Sequence, residues 1–235
     1  MFTEAQLQQL IVLDIETIPA YPDYQDVPPA EKQLWDRKSG RLSSDLRDPA
    51  ALYPRAGIYA EFGRIICISV GRMQAGQFRI HSFSGGHEKL VLEQFVNYLR
   101  KNANKRSLLC AHNGKEFDFP YIARRMLVNR IVLPELLDLA GKKPWEIMHL
   151  DTLELWKFGD YKHYTSLETL SHLFGLPSPK QETDGSKIAD LWWKSQDIRK
   201  IRAYCEQDVL TVFNLMRCYS GLFPLQTADV NYQRH

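Results

Sequence analysis

A short apolar run at residues 11–17 reads Ile-Val-Leu-Asp-Ile-Glu-Thr and predicts a buried β-strand that carries two acids. Side chains alternate across a strand, so Asp14 and Glu16 point to one face and the three aliphatic residues between and before them to the other. Two ionised carboxylates on one face of a core strand repel each other, and a bound cation is the simplest remedy. The same pattern also fits a strand that ends at the surface, so the interpretation depends on the rest of the chain.

The order of the later apolar patterns predicts a mixed β-sheet of about five strands layered with helices. Alternating or β-branched apolar runs indicate strands, and apolar residues at a spacing of three and four indicate helices. The predicted elements after the first strand are strands at 62–70, 78–83 and 108–111, and helices at 87–100, 119–129 and most of 154–222. A turn at 74–77 joins two of the strands as a hairpin.

Residues 19–55 lack a regular apolar period and are rich in Pro, Asp and charge, which predicts a long irregular insertion. A short helix is expected within it at 29–35. Basic residues beside Trp35 fit either a solvated loop or a surface that grips a nucleotide strand, and we favour the solvated loop. The length of 235 residues otherwise predicts one domain over residues 1–235.

Composition narrows the class of protein without naming its function. The chain is 44% apolar and 25% charged with a net charge of +2, which predicts a soluble globular protein that is compatible with a nucleic-acid partner. The four cysteines are far apart and form no C-x-x-C pair, which indicates reduced thiols in a cytoplasmic protein. Neither a secretory signal nor an apolar run long enough for a membrane span is present, so no membrane partner is expected.

A second acidic position follows the predicted strand at 108–111, where the sequence reads His-Asn-Gly-Lys-Glu-Phe-Asp-Phe-Pro over residues 112–120. The junction between the end of a strand and the start of a helix is a common place for functional residues in α/β proteins. Taken alone, Asn113-Gly114 fits a turn and Asp118 fits a helix N-cap. Asp151, at the start of a later helix, is also interpreted as an N-cap.

A third acidic position lies in the last helix, on a stripe that is otherwise apolar. At 100° per residue, Asp208 falls in the middle of this stripe, whereas Arg202 and Glu206 fall on the face predicted to be solvated. Tyr204, one turn before Asp208, leans over the same side. The apolar members of the stripe are Ile201, Cys205, Val212, Leu215 and Tyr219. A carboxylate on a core-facing stripe calls for a partner, and a metal shared with other acids would be one.

Three motifs in this order resemble those of the DEDD superfamily of 3′–5′ exonucleases, which includes the proofreading domains of DNA polymerases. They are Asp14-x-Glu16, Asn113-x-x-x-Phe117-Asp118 and Tyr204-x-x-x-Asp208. The tyrosine and the spacing of the second motif most resemble the DEDDy branch and the exonuclease domain of family B polymerases. The resemblance covers nearly the whole chain and implies a ribonuclease H-like α/β fold with a mixed sheet and a helical C-terminal third.

The resemblance implies that Asp14, Glu16, Asp118 and Asp208 hold two divalent ions, Mg²⁺ or Mn²⁺. General chemistry agrees, because such hard cations take oxygen ligands and a pair of them can clamp the attacking and leaving oxygens of a phosphodiester. The hydroxyl of Tyr204 would orient the attacking water. The predicted activity is hydrolysis of nucleotides from a single-stranded 3′ end, with DNA preferred over RNA as the partner.

The resemblance also implies roles at the substrate for three further residues. Asn113 would steady the site or the nucleotide, and Ile15 and Phe117 would pack around the terminal base or sugar. Basic and aromatic residues interleave over 157–164, a pattern typical of single-strand binding, and these are Lys157, Tyr161, Lys162 and Tyr164. Such a pattern on exposed helices also fits plain solvation.

Two alternatives stay open at this point. An exoribonuclease of the same superfamily would share all four acids, and a catalytically silent module on the same fold would bind nucleic acid or protein. The presence of the four acids and the tyrosine favours an enzyme over the silent module.

Overall fold

The computed structural model describes residues 2–42, 48–160, 164–177 and 187–234. A six-stranded mixed sheet in the order β5-β4-β1-β2-β3-β6 forms its centre. The strands are β1 Leu10–Pro19, β2 Gly63–Gln74, β3 Gln77–Ser84, β4 Leu108–Ala111, β5 Leu150–Asp151 and β6 Val230–Arg234. The helices are α1 Glu4–Leu7, α2 Pro29–Ser39, α3 Pro49–Leu52, α4 Glu88–Asn102, α5 Asp118–Val128, α6 Thr152–Lys157, α7 Leu167–Leu173, α8 Ile188–Trp193 and α9 Ile198–Tyr219.

Hydrogen bonding gives the sheet a mixed character. β2 is antiparallel to both β1 and β3, which forms the predicted hairpin, whereas β1 with β4, β4 with β5 and β3 with β6 are parallel. This architecture confirms the predicted ribonuclease H-like α/β class. The two strands that the sequence did not indicate, β5 and β6, are the short outermost ones.

β1 lies in the middle of the sheet and is covered on both faces. Ile11, Leu13 and Ile15 pack into a core formed with α4 and α5, whereas Val12 faces a second core formed with α9. α9 approaches the sheet closely at Gly71 of β2, where a Cβ atom would overlap the ring of Phe78 and the side chain of Val209. The acids of β1 therefore lie on the face that α9 covers.

Between β1 and β2, the region predicted as an irregular insertion contains α2, α3 and an aromatic cluster around Trp35. The ring of Trp35 is fully buried, and its indole N–H donates a hydrogen bond of 2.8 Å to the carbonyl oxygen of Pro49. The predicted short helix is present and continues to Ser39. Trp35 therefore organises a local core and is not exposed for stacking on a base.

Two smaller predictions concern the cysteines and the membrane. Each of the four cysteines is a free thiol, as predicted. Across the described ranges, none of the helices combines the length and the apolar character that a membrane span requires.

Candidate active site

Asp14 and Glu16 lie next to each other on the face of β1 that α9 covers. They are opposite Ser69 and Cys67 of β2, and the register of the two strands shifts directly after Glu16. Such a bulge bends a strand and re-aims the side chains beside it, and bulges are frequent at active sites. Glu16 is only 6% exposed and Asp14 is partly buried. The predicted carboxylate pair therefore consists of a buried Glu16 and a partly buried Asp14 on a central strand.

Asp118 reaches the same place from the first turn of α5. The pairing of β4 with β1 ends at Val12, and beyond this point the backbone N–H of Ile15 donates a hydrogen bond to the Asp118 carboxylate. The loop before α5 is tight, because a Cβ atom at Gly114 would collide with the side chains of Ala111 and Phe119. The shape of this loop thus fixes how far Asp118 projects toward β1.

Asp151 holds the same loop from the neighbouring strand. Its carboxylate accepts hydrogen bonds from the backbone N–H groups of Asn113 at 2.8 Å, Lys115 at 3.1 Å and Leu153 at 2.9 Å. The last of these is the N-cap of α6 that the sequence predicted. The other two hydrogen bonds position the loop before α5. Sequence reasoning missed this role, because it depends on the parallel pairing of the two-residue strand β5 with β4.

α9 brings the fourth acid and the tyrosine across the end of β1. The thiol of Cys205 donates to the backbone carbonyl oxygen of Asp14 at 3.3 Å, which fixes this turn of the helix directly over the strand. Asp208 is buried, as its place on the apolar stripe predicted. Tyr204 is partly buried against the cluster formed by α8 and α9, one turn before Asp208.

The prediction that Glu206 lies on a solvated face is wrong. Glu206 is 2% exposed and accepts hydrogen bonds from the hydroxyl of Ser82 at 2.9 Å and from the Nε and Nη2 atoms of Arg234 at 3.1 and 2.8 Å. β6 carries Arg234 beside β3, so the sheet extends under the helix where a helical wheel indicates solvent. Arg202 is partly buried and donates to the hydroxyl of Ser84.

The acids of the site act on one another electrostatically. Burial raises the pKa of Asp14 well above its usual value, and the charges of Asp208 and Asp118 raise it further. Burial also raises the pKa of Glu16, followed by the charges of Asp14 and Asp208. Burial raises the pKa of Asp118 to about 8, with contributions from Asp151 and Asp208 and an opposing one from the Ile15 N–H. The four sequence-predicted acids are therefore near enough to influence one another electrostatically, and Asp14 and Glu16 are the two whose carboxylate oxygens lie within 4.8 Å of each other in a group of possible metal ligands.

A divalent cation fits this cluster. The Oδ2 atom of Asp14 is buried and has no hydrogen-bond partner among the described residues. The main influences on the pKa values of Asp14, Glu16 and Asp118 are burial, other acids, thiols and backbone amides, with no lysine or arginine among them. Carboxylate oxygens are the ligands that Mg²⁺ and Mn²⁺ prefer. A cation would therefore supply the positive charge that is missing among the main influences from the described residues.

Cys205 is another residue whose role at the site sequence analysis missed. A ligand atom of Asp14, one of Glu16 and the sulfur of Cys205 all lie within 4.8 Å of one another. The sequence carried a signal for it, since Cys205 occupies the same buried stripe as Asp208 and directly follows Tyr204. Only the contact between α9 and β1 shows that the thiol reaches the carboxylates.

The predicted substrate contacts are placed less uniformly. Phe117 is partly exposed at the start of α5, with its ring 5.4 Å from that of Tyr121. Asn113 adopts a left-handed backbone with φ of 61°, which asparagine tolerates. Ile15 is 5% exposed and packs in the core on the face of β1 opposite Asp14, so little of its side chain is available to a substrate.

The stretch over 157–164 is described only at its ends. Lys157 is partly buried at the end of α6, and Tyr164 is exposed. Partial desolvation, and after it the charges of Asp151, Glu116 and Asp118, raise the pKa of Tyr164, so this ring lies on the side of the molecule that carries Asp118. Tyr161 and Lys162 lie outside the described residues.

The fold and the acidic cluster together define a ribonuclease H-like α/β domain. Residues 58–230 match the family described as a predicted 3′–5′ exonuclease related to the exonuclease domain of PolB, and the chain belongs to this family. The matched segment begins after β1, so it contains Asp118, Tyr204 and Asp208 and leaves Asp14 and Glu16 before its start.

A solved structure supports the fold independently. The family B DNA polymerase from the hyperthermophilic archaeon Pyrobaculum calidifontis is similar with a TM-score of 0.55 and 13% sequence identity. The similarity covers 86% of this chain and 23% of the polymerase, so the chain spans less than a quarter of that enzyme's length. At this identity the similarity shows a common fold.

Proposed function

We propose that the chain is a metal-dependent exonuclease of the DEDDy type that removes nucleotides from single-stranded 3′ ends of DNA. The observation that carries this proposal is the convergence of Asp14, Glu16, Asp118 and Asp208 from three separate elements, with the charges of Asp14, Asp118 and Asp208 each raising the pKa of at least one other member. Burial of several like charges together is costly, and a ligand of opposite charge would remove that cost. Membership of a predicted 3′–5′ exonuclease family supports the direction of cleavage.

The four acids would hold two divalent ions, Mg²⁺ or Mn²⁺. When bound, such ions lower the pKa of a water molecule and stabilise both oxygens of an in-line displacement at phosphorus. The β1 backbone keeps Asp14 and Glu16 in place, and the Ile15 N–H orients Asp118. The Tyr204 hydroxyl, one turn before Asp208, would orient the attacking water by hydrogen bonding, since a phenol is too weak a base to take its proton alone.

The substrate end would enter between α5 and the stretch over 157–164. In this proposal, Phe117 packs against the terminal base or sugar, and Asn113 steadies the nucleotide or the loop. Ile15 contributes at most a small apolar contact, because it is nearly buried. Charges and rings for the preceding phosphates and bases would come from Lys157, Tyr161, Lys162 and Tyr164. A groove that combines basic and aromatic side chains is suited to single strands.

The organisation of the chain completes the proposal. Residues 1–235 would act as one exonuclease domain, with the segment over 19–55 inserted between β1 and β2. Its four free thiols are consistent with a reducing compartment, and we place the protein in the cytoplasm.

The experiment is a time course with single-stranded DNA and RNA oligonucleotides labelled at either end, in Mg²⁺, Mn²⁺ or chelator. We expect stepwise shortening from the 3′ end of DNA that is lost with chelator and in the Asp14→Ala and Asp208→Ala variants. Asp190→Ala is the matched control, because Asp190 is an exposed acid paired with Lys194 on the surface.

Each other result has a definite meaning. Degradation that persists in chelator, or that starts at the 5′ end, would contradict the mechanism. Shortening of RNA alone would identify an exoribonuclease. Binding of either nucleic acid without any cleavage would identify the silent module.

A further inference from the structure

The cluster contains a sulfur atom that the proposed hydrolysis does not use. Cys205 is fully buried on α9, and its thiol lies between the helix and the acids of β1. Its sulfur and one carboxylate oxygen each of Asp14 and Glu16 are mutually within 4.8 Å. Three potential ligand atoms from two elements therefore surround a single point.

The surroundings of this point leave one carboxylate oxygen of Asp14 without a protein partner. The Oδ2 atom of Asp14 is buried and has no hydrogen-bond partner in the described ranges. Glu16 beside it is 6% exposed, and the main influences on its pKa are burial and neighbouring acids, with no lysine or arginine among them. A buried carboxylate oxygen without a partner calls for an explanation, and a bound cation supplies one.

Cys67 and apolar side chains form the wall behind the sulfur. Cys67 is opposite Glu16 on β2 and packs in the same buried cluster as Cys205. Ile18, Ile201 and Trp192 pack around both cysteines. This wall holds the thiol in place and would shield a metal bound to the sulfur from water on that side.

The donor set differs from a purely oxygen site in its choice of metal. Mg²⁺ requires oxygen ligands, whereas Zn²⁺ and similar ions bind cysteine sulfur together with carboxylate oxygen. When such an ion binds, the S–H bond of Cys205 breaks, its proton passes to solvent and a metal–sulfur bond forms. No oxidant or reductant is required, because sulfur and metal keep their oxidation states.

We propose that Asp14, Glu16 and Cys205 form a mixed oxygen–sulfur site for a thiophilic divalent ion, Zn²⁺ or Cd²⁺. Occupation of this site removes two carboxylates from the oxygen-preferring ions and so inhibits the exonuclease. The binding part stands on the geometry alone, whereas the inhibition rests on the proposed function.

Titration of the whole chain with Cd²⁺ tests the binding. A cadmium–sulfur bond gives a charge-transfer band in the ultraviolet, and we expect this band to saturate at one equivalent in the unmodified chain and in Cys218→Ser. Cys218 is the matched control, since it lies on the same helix outside the cluster. The band should be lost in Cys205→Ser and in Cys205→Ala.

Three results would overturn the proposed site: no band in the unmodified chain, a band that persists without Cys205, or a band that depends on Cys67 instead. Circular dichroism shows whether each variant is folded. If both Cys205 variants unfold, cadmium NMR of the unmodified chain decides, because the chemical shift distinguishes one sulfur ligand from none.

Inhibition is measured separately, as the Zn²⁺ concentration that halves the Mg²⁺-dependent rate of each variant. We expect this concentration to rise by at least about tenfold in Cys205→Ser, since loss of even an outer-shell partner weakens metal binding by about 10–100-fold. Cys218→Ser should match the unmodified chain. A cadmium band without nuclease activity would refute the proposed function and leave the site, whereas nuclease activity without the band would do the reverse.

Discussion

Glu88 at the start of α4 and Glu16 on β1 are buried to nearly the same degree, 8% and 6% exposed, but their surroundings are opposite. The Glu88 carboxylate accepts hydrogen bonds from the backbone N–H of Ile65, from Nε and Nη2 of Arg125 and from the amide of Asn129, at 2.6 to 2.9 Å. The Glu16 carboxylate has other acids and thiols as its neighbours. One region completes its own charge balance, and the other does not.

This difference distinguishes acids with a structural role from acids that would bind a cation. Glu206 and Asp151 resemble Glu88, because each accepts several hydrogen bonds from within the chain. Asp14, Glu16 and Asp118 have raised pKa values, so their charged forms oppose folding in the absence of a cation. Burial alone therefore does not distinguish the two kinds of acid, whereas their surroundings do, since Glu88 is paired with a guanidinium and the main influences on the pKa values of Asp14 and Glu16 include no lysine or arginine.

The largest expected effect is a loss of activity when an acid is replaced in the region around Glu16, where the charges are not balanced. Asp14→Asn should lower the Mg²⁺-dependent rate by about 10³-fold, because the variant loses a charged ligand for the ion that stabilises the reacting oxygens. In chelator the same variant should unfold at an equal or higher urea concentration, since it removes one of several repelling charges. The measurements are single-turnover cleavage and urea denaturation.

Asp190→Asn is the control for the first prediction and should leave both quantities unchanged, because Asp190 forms an exposed ion pair. A loss of stability for Asp14→Asn in chelator would show that Asp14 is a structural acid of the same kind as Glu88.

The next effect is a loss of stability when an acid is replaced in the region around Glu88, where the charges are balanced. Glu88→Gln should lower the free energy of unfolding by about 3 kcal/mol, because it leaves the largely buried guanidinium of Arg125 without its charged partner. Urea denaturation measures the change, and the cleavage rate per folded molecule should stay the same. Glu93→Gln on the same helix, where the acid is exposed, should change stability by less than about 0.5 kcal/mol. Equal effects of the two substitutions would contradict the comparison.

The third effect is a dependence of stability on pH in the metal-free chain. Asp118 has a pKa of about 8 in the folded state, above its value in the unfolded chain, so the folded state holds a proton that the unfolded state has lost. This contribution is complete at low pH and is lost as the pH rises toward about 8. Between pH 6.5 and 8 we expect the free energy of unfolding to fall by about 1 kcal/mol per pH unit, and to level off at higher pH, where the folded state has also lost the proton.

Mg²⁺ or Mn²⁺ should reverse this decline and stabilise the chain more at pH 8 than at pH 6.5, because the ligands must lose their protons to bind. Thermal denaturation in chelator and in excess ion measures both effects. A profile in chelator that is flat over this range, or that rises, would show that the acids are neutralised by the protein itself.

Local patterns in the sequence were sufficient to predict those features of the site that lie within a single strand or helix. Alternation placed Asp14 and Glu16 on the same face of β1, and the helical period placed Asp208 on the buried side of α9. The hairpin and the helices α4, α5 and α9 followed from the same two periods. These features depend on neighbours within a few residues, which a single sequence contains.

The features that sequence analysis missed all depend on contacts between distant segments. Glu206 is buried because β6 pairs with β3 and brings Arg234, and five residues of mixed polarity give no warning of this. Asp151 orients the loop before α5 only because β5 lies beside β4. The contact of Cys205 with Asp14 joins residues that are far apart along the chain. The period of two in a strand and the period of 3.6 in a helix contain no information on contacts between distant segments.

The smallest predicted effect distinguishes Tyr204 from the acids that would bind the metal ion. Tyr204→Phe should slow cleavage by about tenfold, which corresponds to about 1.4 kcal/mol, because the variant loses only the hydroxyl that orients the attacking water. Stabilisation by Mn²⁺ should be unchanged, since the phenol is not one of the ion's ligands. Tyr219→Phe is the matched control, because that hydroxyl donates to the backbone carbonyl of Thr152 and is not among the main influences on Asp14, Glu16 or Asp118. A Tyr204→Phe variant that cleaves at the full rate would remove the proposed role of this residue, and one that also loses the stabilisation by Mn²⁺ would make Tyr204 part of the ion site.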